Sequence, residues 1–181
     1  QRCAEIVQRL RKHDTAPGAP LLARACYDLG SVRYQQLTLQ LQAQGCGSGY
    51  VTRERLLKQD PELASLQARA LSAFTDGLRA DPSNADCWVG AGLAHTAAAV
   101  SLASLTRATQ LDPAHSGAQI NLALRLMAQG QTVLAQEALA QVQMRESHPD
   151  VWTVTALLTE QQSLRAVLGM SMQQAHDAYC V

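Results

Sequence analysis

Three Asp-Pro dipeptides punctuate this chain, and the stretches between them carry helical periodicity. They are Asp60-Pro61, Asp81-Pro82 and Asp112-Pro113. Aspartate accepts the first free N–H groups of a helix, and proline tolerates the first turn because no hydrogen bond is lost there. Each pair therefore predicts a helix start. Trp88 follows Pro82 by six residues, and Trp88 and Trp152 lie 64 residues apart, close to two periods of about 34 residues. Helical units separated by recurrent start signals predict an all-α chain, a right-handed superhelical solenoid of about four antiparallel helix hairpins. Solenoids present surfaces to other molecules more often than they build active sites.

The apolar positions support this reading. Hydrophobic residues make up 47% of the chain while aromatics make up 4%, with Phe74 the single phenylalanine. The apolar content is therefore mostly Ala and Leu, both good helix formers. Leu63, Leu66, Ala70, Phe74 and Gly77 recur at intervals of three and four and form one helical stripe. No useful stretch alternates as a strand would. Leu21 to Gln44 reads as one long helix ended by Gly45, and 45–59 as a polar loop with a helical turn around 52–58. Asp81-Pro82 is expected to open a helix to about Ala98, with a second through Leu111. Residues 114–129 and 132–144 form the next pair. A fourth hairpin pairs His148–Glu160 with Ser163–Ala178. The expected organisation is a partial helix and linker over 1–19, then an array over 20–181 with units at about 20–82, 83–113, 114–147 and 148–181. The chain lacks an initiator Met and opens inside an apparent helix, as a piece of a longer protein would.

Charge and cysteine usage narrow the function. Net charge is zero, so no basic field exists for phosphate backbones. The five cysteines are odd in number and contain no C-x-x-C pair, which favours a reducing compartment. The expected location is cytoplasmic, with the nucleus as a second possibility. No apolar run approaches the roughly 18 residues of a membrane span.

The offsets between these residues resemble tetratricopeptide repeats over roughly 20–160. Ala70, Phe74, Gly77 and Pro82 match the second-helix pattern, with Gly in place of the last Ala. Trp88 takes the Trp slot, while Ala91, Gly92 and His95 replace Leu, Gly and Tyr. Leu105, Ala108 and Pro113 close that repeat, and Leu122, Ala123, Gly130, Ala135 and Leu139 sit at the expected spacings in the next. Leu29-Gly30 takes the Leu-Gly slot of the first, with Cys26 where Trp would stand. Two departures stand out: Pro82 and Pro113 are 31 residues apart, about one turn short, and 45–59 is an insertion. A narrower stretch, Cys87–Leu93 with Leu105–Leu111 and Ser116–Ala118, is similar to the family of large scaffold subunits of the Superkiller (Ski) complex. That resemblance implies protein partners, an RNA helicase and WD-repeat subunits, in exosome-dependent 3′–5′ RNA decay.

The tetratricopeptide resemblance implies that the first helix of each hairpin lines a groove. Counting from the Trp slot gives Tyr27, Ser31 and Tyr34; Val89, Leu93 and Thr96; Ile120, Leu124 and Met127; and Thr153, Leu157 and Glu160. The candidate partner-binding residues are Tyr27, Tyr34, Val89, Leu93, Ile120, Leu124 and Met127. The chaperone-binding branch of the family grips a C-terminal carboxylate with Lys, Arg and Asn in these slots, and none occurs here. An apolar groove suits an amphipathic helix or an extended apolar segment. Packing against the same superhelix is the competing reading, and the two weigh about evenly.

Other chemistry is thin. Gly45-Cys-Gly-Ser-Gly49 has no preceding strand and no Lys-Ser/Thr in register, so it reads as a linker rather than a phosphate loop. His13, His95, His115, His148 and His176 show no metal-ligand spacing. Asp60, Asp81 and Asp112 are assigned as helix caps. Cys87 reads as a small buried hydrophobe. Arg53, Arg55 and Lys58 beside Tyr50 form a small basic cluster that reads as a solvated loop rather than an RNA contact. No catalytic set can be assembled, and no cofactor or metal is implied. The chain reads as a scaffold and not an enzyme, with a regulatory or substrate-adaptor module of another complex as the alternative.

Overall fold

The computed structural model describes residues 4–5, 7–8, 19–46, 52–144 and 152–160. Their helices are α1 (Ala19–Ala43), α2 (Arg53–Gln59), α3 (Pro61–Ala80), α4 (Ala85–Ala94), α5 (Ala98–Leu111), α6 (Ser116–Ala128) and α7 (Thr132–Gln143). Residues 152–160 are also helical, and no strand occurs among the described residues. The second helix expected at Ser163–Ala178 lies outside them, as do the linker at 13–18 and the stretch 47–51. The chain parts into two compact units, Gln1–Ala118 and Gln119–Val181.

In the first unit α1 and α3 run antiparallel. Three side-by-side placements fix that direction: Gly30 lies against the Phe74 ring, Cys26 lies beside Gly77, and Arg33 Nη1 donates to Arg69 O at 2.8 Å. The core between these helices is small-against-large. Phe74 is 1% exposed. A Cβ on Gly30 of α1 would fall 2.6 Å from its ring, and one on Gly90 of α4 would fall 2.2 Å away. Both glycines are thus required by close approach, and Phe74 locks one hairpin to the next. Ala70, Ala91 and Ala94 complete this layer. Gly77 stands opposite Cys87, where a Cβ would meet Sγ at 2.6 Å. This explains why glycine replaces the alanine expected at that offset.

Helix α4 pairs with α5, and Ser101 Oγ donates to Gly92 O at 2.6 Å. This hairpin is much shorter than the first: α4 and α5 span 10 and 14 residues against 25 and 20 for α1 and α3. The long hairpin overhangs the short one. Helix α2, which the sequence presented as an insertion, fills the step. Its Leu56 is buried with Leu37, Leu41 and Leu63.

The punctuation works differently from the sequence expectation at two of three sites. Asp60 caps as expected: its Oδ1 accepts from the N–H groups of Glu62 at 2.8 Å and Leu63 at 3.4 Å. Its own N–H also closes α2 on Leu56 O at 2.9 Å. Asp81 and Asp112 instead cap a turn. Asp81 Oδ1 accepts from Ser83 N at 3.0 Å and Ser83 Oγ at 2.6 Å, and Asp112 Oδ1 accepts from Ala114 N at 2.9 Å. The helix N-caps come three residues after the aspartates. Asn84 Oδ1 accepts from Cys87 N at 2.9 Å, and His115 Nδ1 accepts from Ala118 N at 3.1 Å. At these two sites a turn separates Asp from the helix, and each Asp N–H closes the preceding helix, on Gly77 O and Ala108 O, as the Asp60 N–H does on Leu56 O. Helix α4 also stops at Ala94 rather than near Ala98, where His95 N–H bonds Ala91 O.

In the second unit Gln119 Nε2 donates to Gln141 Oε1 at 3.1 Å between α6 and α7. Ala123, Leu126, Ala135, Leu139 and Val142 are buried. Gln143 Nε2 donates to Thr155 Oγ1 at 3.1 Å, tying α7 to the helical residues 152–160. Trp152 is 64% exposed and fills no hole there.

Candidate partner-binding groove

Each expected groove residue has a definite place. Tyr27 and Tyr34 are half-buried on α1 and pack on the Phe74 layer. The Tyr27 and Phe74 ring centroids are 6.1 Å apart, tilted by 49°. On α4, Val89 is buried at 8% and Leu93 is half-buried. Within the second unit Ile120 and Met127 are buried at 6% and 8%, while Leu124 is 38% exposed. Of these positions, Tyr27, Tyr34 and Leu93 are part-exposed in the first unit while Val89 is buried, and within the second unit Leu124 is exposed while Ile120 and Met127 are buried.

The polar groups beside the tyrosines are engaged. The Arg24 guanidinium carbon lies 5.5 Å from the Tyr27 ring centroid, a cation–π distance. Arg24 also pairs with Asp86 at 3.5 Å. Asp86 Oδ1 takes the Nε2–H of His115 at 3.0 Å. Because Nδ1 of that ring accepts from Ala118 N, the proton sits on Nε2, and the histidine serves as cap and tie at once.

Arg53 corrects the reading of a solvated basic loop. Its Nη1 donates to Leu93 O at 2.9 Å and its Nη2 to Ala94 O at 3.0 Å. Its guanidinium carbon lies 5.5 Å from the Tyr34 ring centroid. Nε is buried with no hydrogen-bond partner among the described residues. The fork meets the last carbonyls of α4, which the helix itself leaves free, at the negative end of its dipole. Gln67 Nε2 adds a third donor, to Ala94 O at 2.8 Å. No sequence motif marked Arg53 for this role. The signal that bears on it is the truncation of α4, which leaves carbonyls in want of donors.

Two concavities border these elements. One of about 360 Å³ is lined by Glu54, Leu57, Lys58, Gln67 and Thr96. Another of about 220 Å³ is lined by Val7, Cys26, Leu29, Arg33 and Asp76. Its charges are engaged within the fold: Arg33 with Arg69 O at 2.8 Å, and Asp76 with Arg79 at 3.1 Å. Burial and then the Arg69 charge lower the Arg33 pKa below its ordinary value. Cys87 is fully buried and its Sγ lies 3.6 Å from Ala23 O. Burial pushes its thiol up to about 12, which makes it a poor nucleophile. Among the described residues no group of three His, Cys, Asp or Glu side chains is placed to hold a metal ion. Nor, among them, is any helix long and apolar enough to cross a membrane.

No family model matches the chain, and no curated protein matches it. Among solved structures it is similar to the TPR2AB-domain:pHSP90 complex of yeast Sti1, at 16% identity over 88% of this chain and 74% of that one, with a TM-score of 0.45. The all-α hairpin architecture rests on the helices and contacts above.

Proposed function

We propose that the chain is a protein-interaction scaffold whose α1–α4 face takes an apolar segment of a partner. The observation that carries this reading is the placement of Tyr27 and Tyr34, half-buried side chains held by the Phe74 layer, with Leu93 half-buried on α4. Aromatic and aliphatic groups held rigidly at a surface are what a partner segment buries at low entropic cost. Leu124 offers a second contact within its own unit. No catalytic function is proposed.

The finer form of the proposal is a segment of a Superkiller-type scaffold that holds an RNA helicase and WD-repeat subunits for cytoplasmic 3′–5′ RNA decay. The similarity of Cys87–Leu93, Leu105–Leu111 and Ser116–Ala118 supports it. An adaptor module of another multiprotein complex is the alternative. Affinity purification of the full-length protein distinguishes them: an RNA helicase together with a WD-repeat protein supports the first, and their absence favours the second. Leu93→Asp and, separately, Leu124→Asp are expected to reduce recovery of those partners while helicity by circular dichroism is retained. Recovery unchanged in both variants would sink the groove.

A further inference from the structure

The face just described is already occupied at one end by the chain itself. Helix α2 seats Arg53 on the Tyr34 ring and on the carbonyls of Leu93 and Ala94. Leu56, three residues later, enters the apolar floor of Leu37, Leu41 and Leu63. The arrangement has the parts of a recognition site. Two successive carbonyls at a helix end match a guanidinium fork, an aromatic face lies beneath it, and an apolar recess sits one helical turn away.

We propose that α2 is an exchangeable occupant of this site, and that the site takes a partner helix carrying Arg followed three residues later by Leu. Three features make α2 displaceable. It spans 7 residues, too few to hold helical structure unaided. Leu56 is its one buried residue. The Nε of Arg53 is buried without a partner, a cost that weakens the docked state. What α2 leaves behind on lifting is an apolar recess beside the helix-end carbonyls of Leu93 and Ala94, of which Ala94 O keeps the Gln67 donor, a surface that selects a replacement of the same chemistry. The exchange depends only on contacts inside the Gln1–Ala118 unit, so it stands apart from the identity of the scaffold's partners.

The probe is a fluorescent synthetic peptide of residues 52–60, read by anisotropy. Wild-type protein should bind it weakly, because the tethered copy competes. The double variant Arg53→Ser/Leu56→Ser should bind it about ten-fold or more tightly, the shift that follows removal of a competitor at high effective concentration. Adding Tyr34→Ala should abolish that gain, and a peptide with both the Arg and the first Leu replaced should not bind. A double variant that melts cooperatively yet binds no peptide overturns the proposal, as does binding indifferent to Tyr34→Ala. Hydrogen exchange on the wild-type chain decides independently of whether the variant folds. The amides of Leu56 to Gln59 should exchange well before those of Ala70 to Phe74. If both sets exchange together at the rate of global unfolding, α2 does not lift and the proposal falls.

Discussion

Phe74 occupies space that two glycines vacate, and the consequence is sharp steric sensitivity. Gly90→Ala would set a methyl 2.2 Å from the ring, and overpacking of this kind costs about 1–3 kcal/mol. Denaturant melts should show that loss, and Gly90→Ala with Phe74→Leu should cost less than the sum of the single changes. Phe74→Ala should cost about 3–5 kcal/mol, and more than Trp88→Ala. In the sequence Trp88 takes the Trp slot of the repeat pattern. In the structure it is half-buried, with Nε1 donating to Pro82 O at 2.9 Å, so its ring closes a turn rather than a core. Phe74 was legible because it lies on a periodic stripe. Trp88 misled because a matching offset does not report which side of the ring the turn covers. Cys87 gives a prediction of sign. Its thiol holds its proton up to about 12 in the folded chain against an ordinary 9.0. Stability from this group is therefore complete below about 9 and is lost as pH rises through that window, because the unfolded chain releases a proton that the folded chain keeps. Cys87→Ala should flatten the alkaline limb of a stability–pH curve. A limb unchanged by the substitution would assign it to other groups.

Helix ends were read from sequence at the level of existence but not of mechanism. Asp-Pro located three junctions. At two of them the capping residue was Asn84 or His115, neither of which was singled out as a cap. The aspartate N–H closes the preceding helix at all three sites; the distinction lies in whether the carboxylate then bonds a turn, as in Asp81 and Asp112, or the next helix, as in Asp60, which spacing alone does not reveal. Asn84→Ala should cost about 1 kcal/mol, as N-cap losses do, while Asp81→Ala should perturb the turn before it perturbs α4. His115→Ala should cost more than Asn84→Ala, because it removes the cap of α6 and the tie to Asp86 together. His115→Asn should recover the cap portion alone. Chemical denaturation of the three variants orders these effects. Helix α2 belongs to the same lesson. A short helical turn was visible around 52–58, with Thr52 as N-cap now seen to accept from Arg55 N, but its packing role was not. That role follows from a length mismatch between hairpins, a property of four helices at once.

For the whole chain, the all-α hairpin class was legible because period and punctuation agreed over most of its length. The two compact units were not, because the boundary after Ala118 falls inside α6, where nothing in the sequence breaks. In a stacked array each hairpin is stabilised mainly by its neighbours, so damage should stay local. Phe74→Ala is expected to accelerate hydrogen exchange throughout α3 and α4 while exchange in α7 changes little. Uniform acceleration across both units would show a single cooperative body instead.

The overhang of α1 and α3 has one more consequence. A repeat array with equal rungs offers the same surface at every level, and a ligand must count rungs to find its place. Here α1 runs for about 37 Å and α4 for about 15 Å, taking 1.5 Å per residue over 25 and 10 residues. The ladder therefore carries a landmark. The first helix of one hairpin outruns that of the next by more than the width of a helix, and the notch holds a short additional helix, α2. A partner helix that takes the notch by the arginine and leucine chemistry proposed above would thereby also be fixed at one level of the chain.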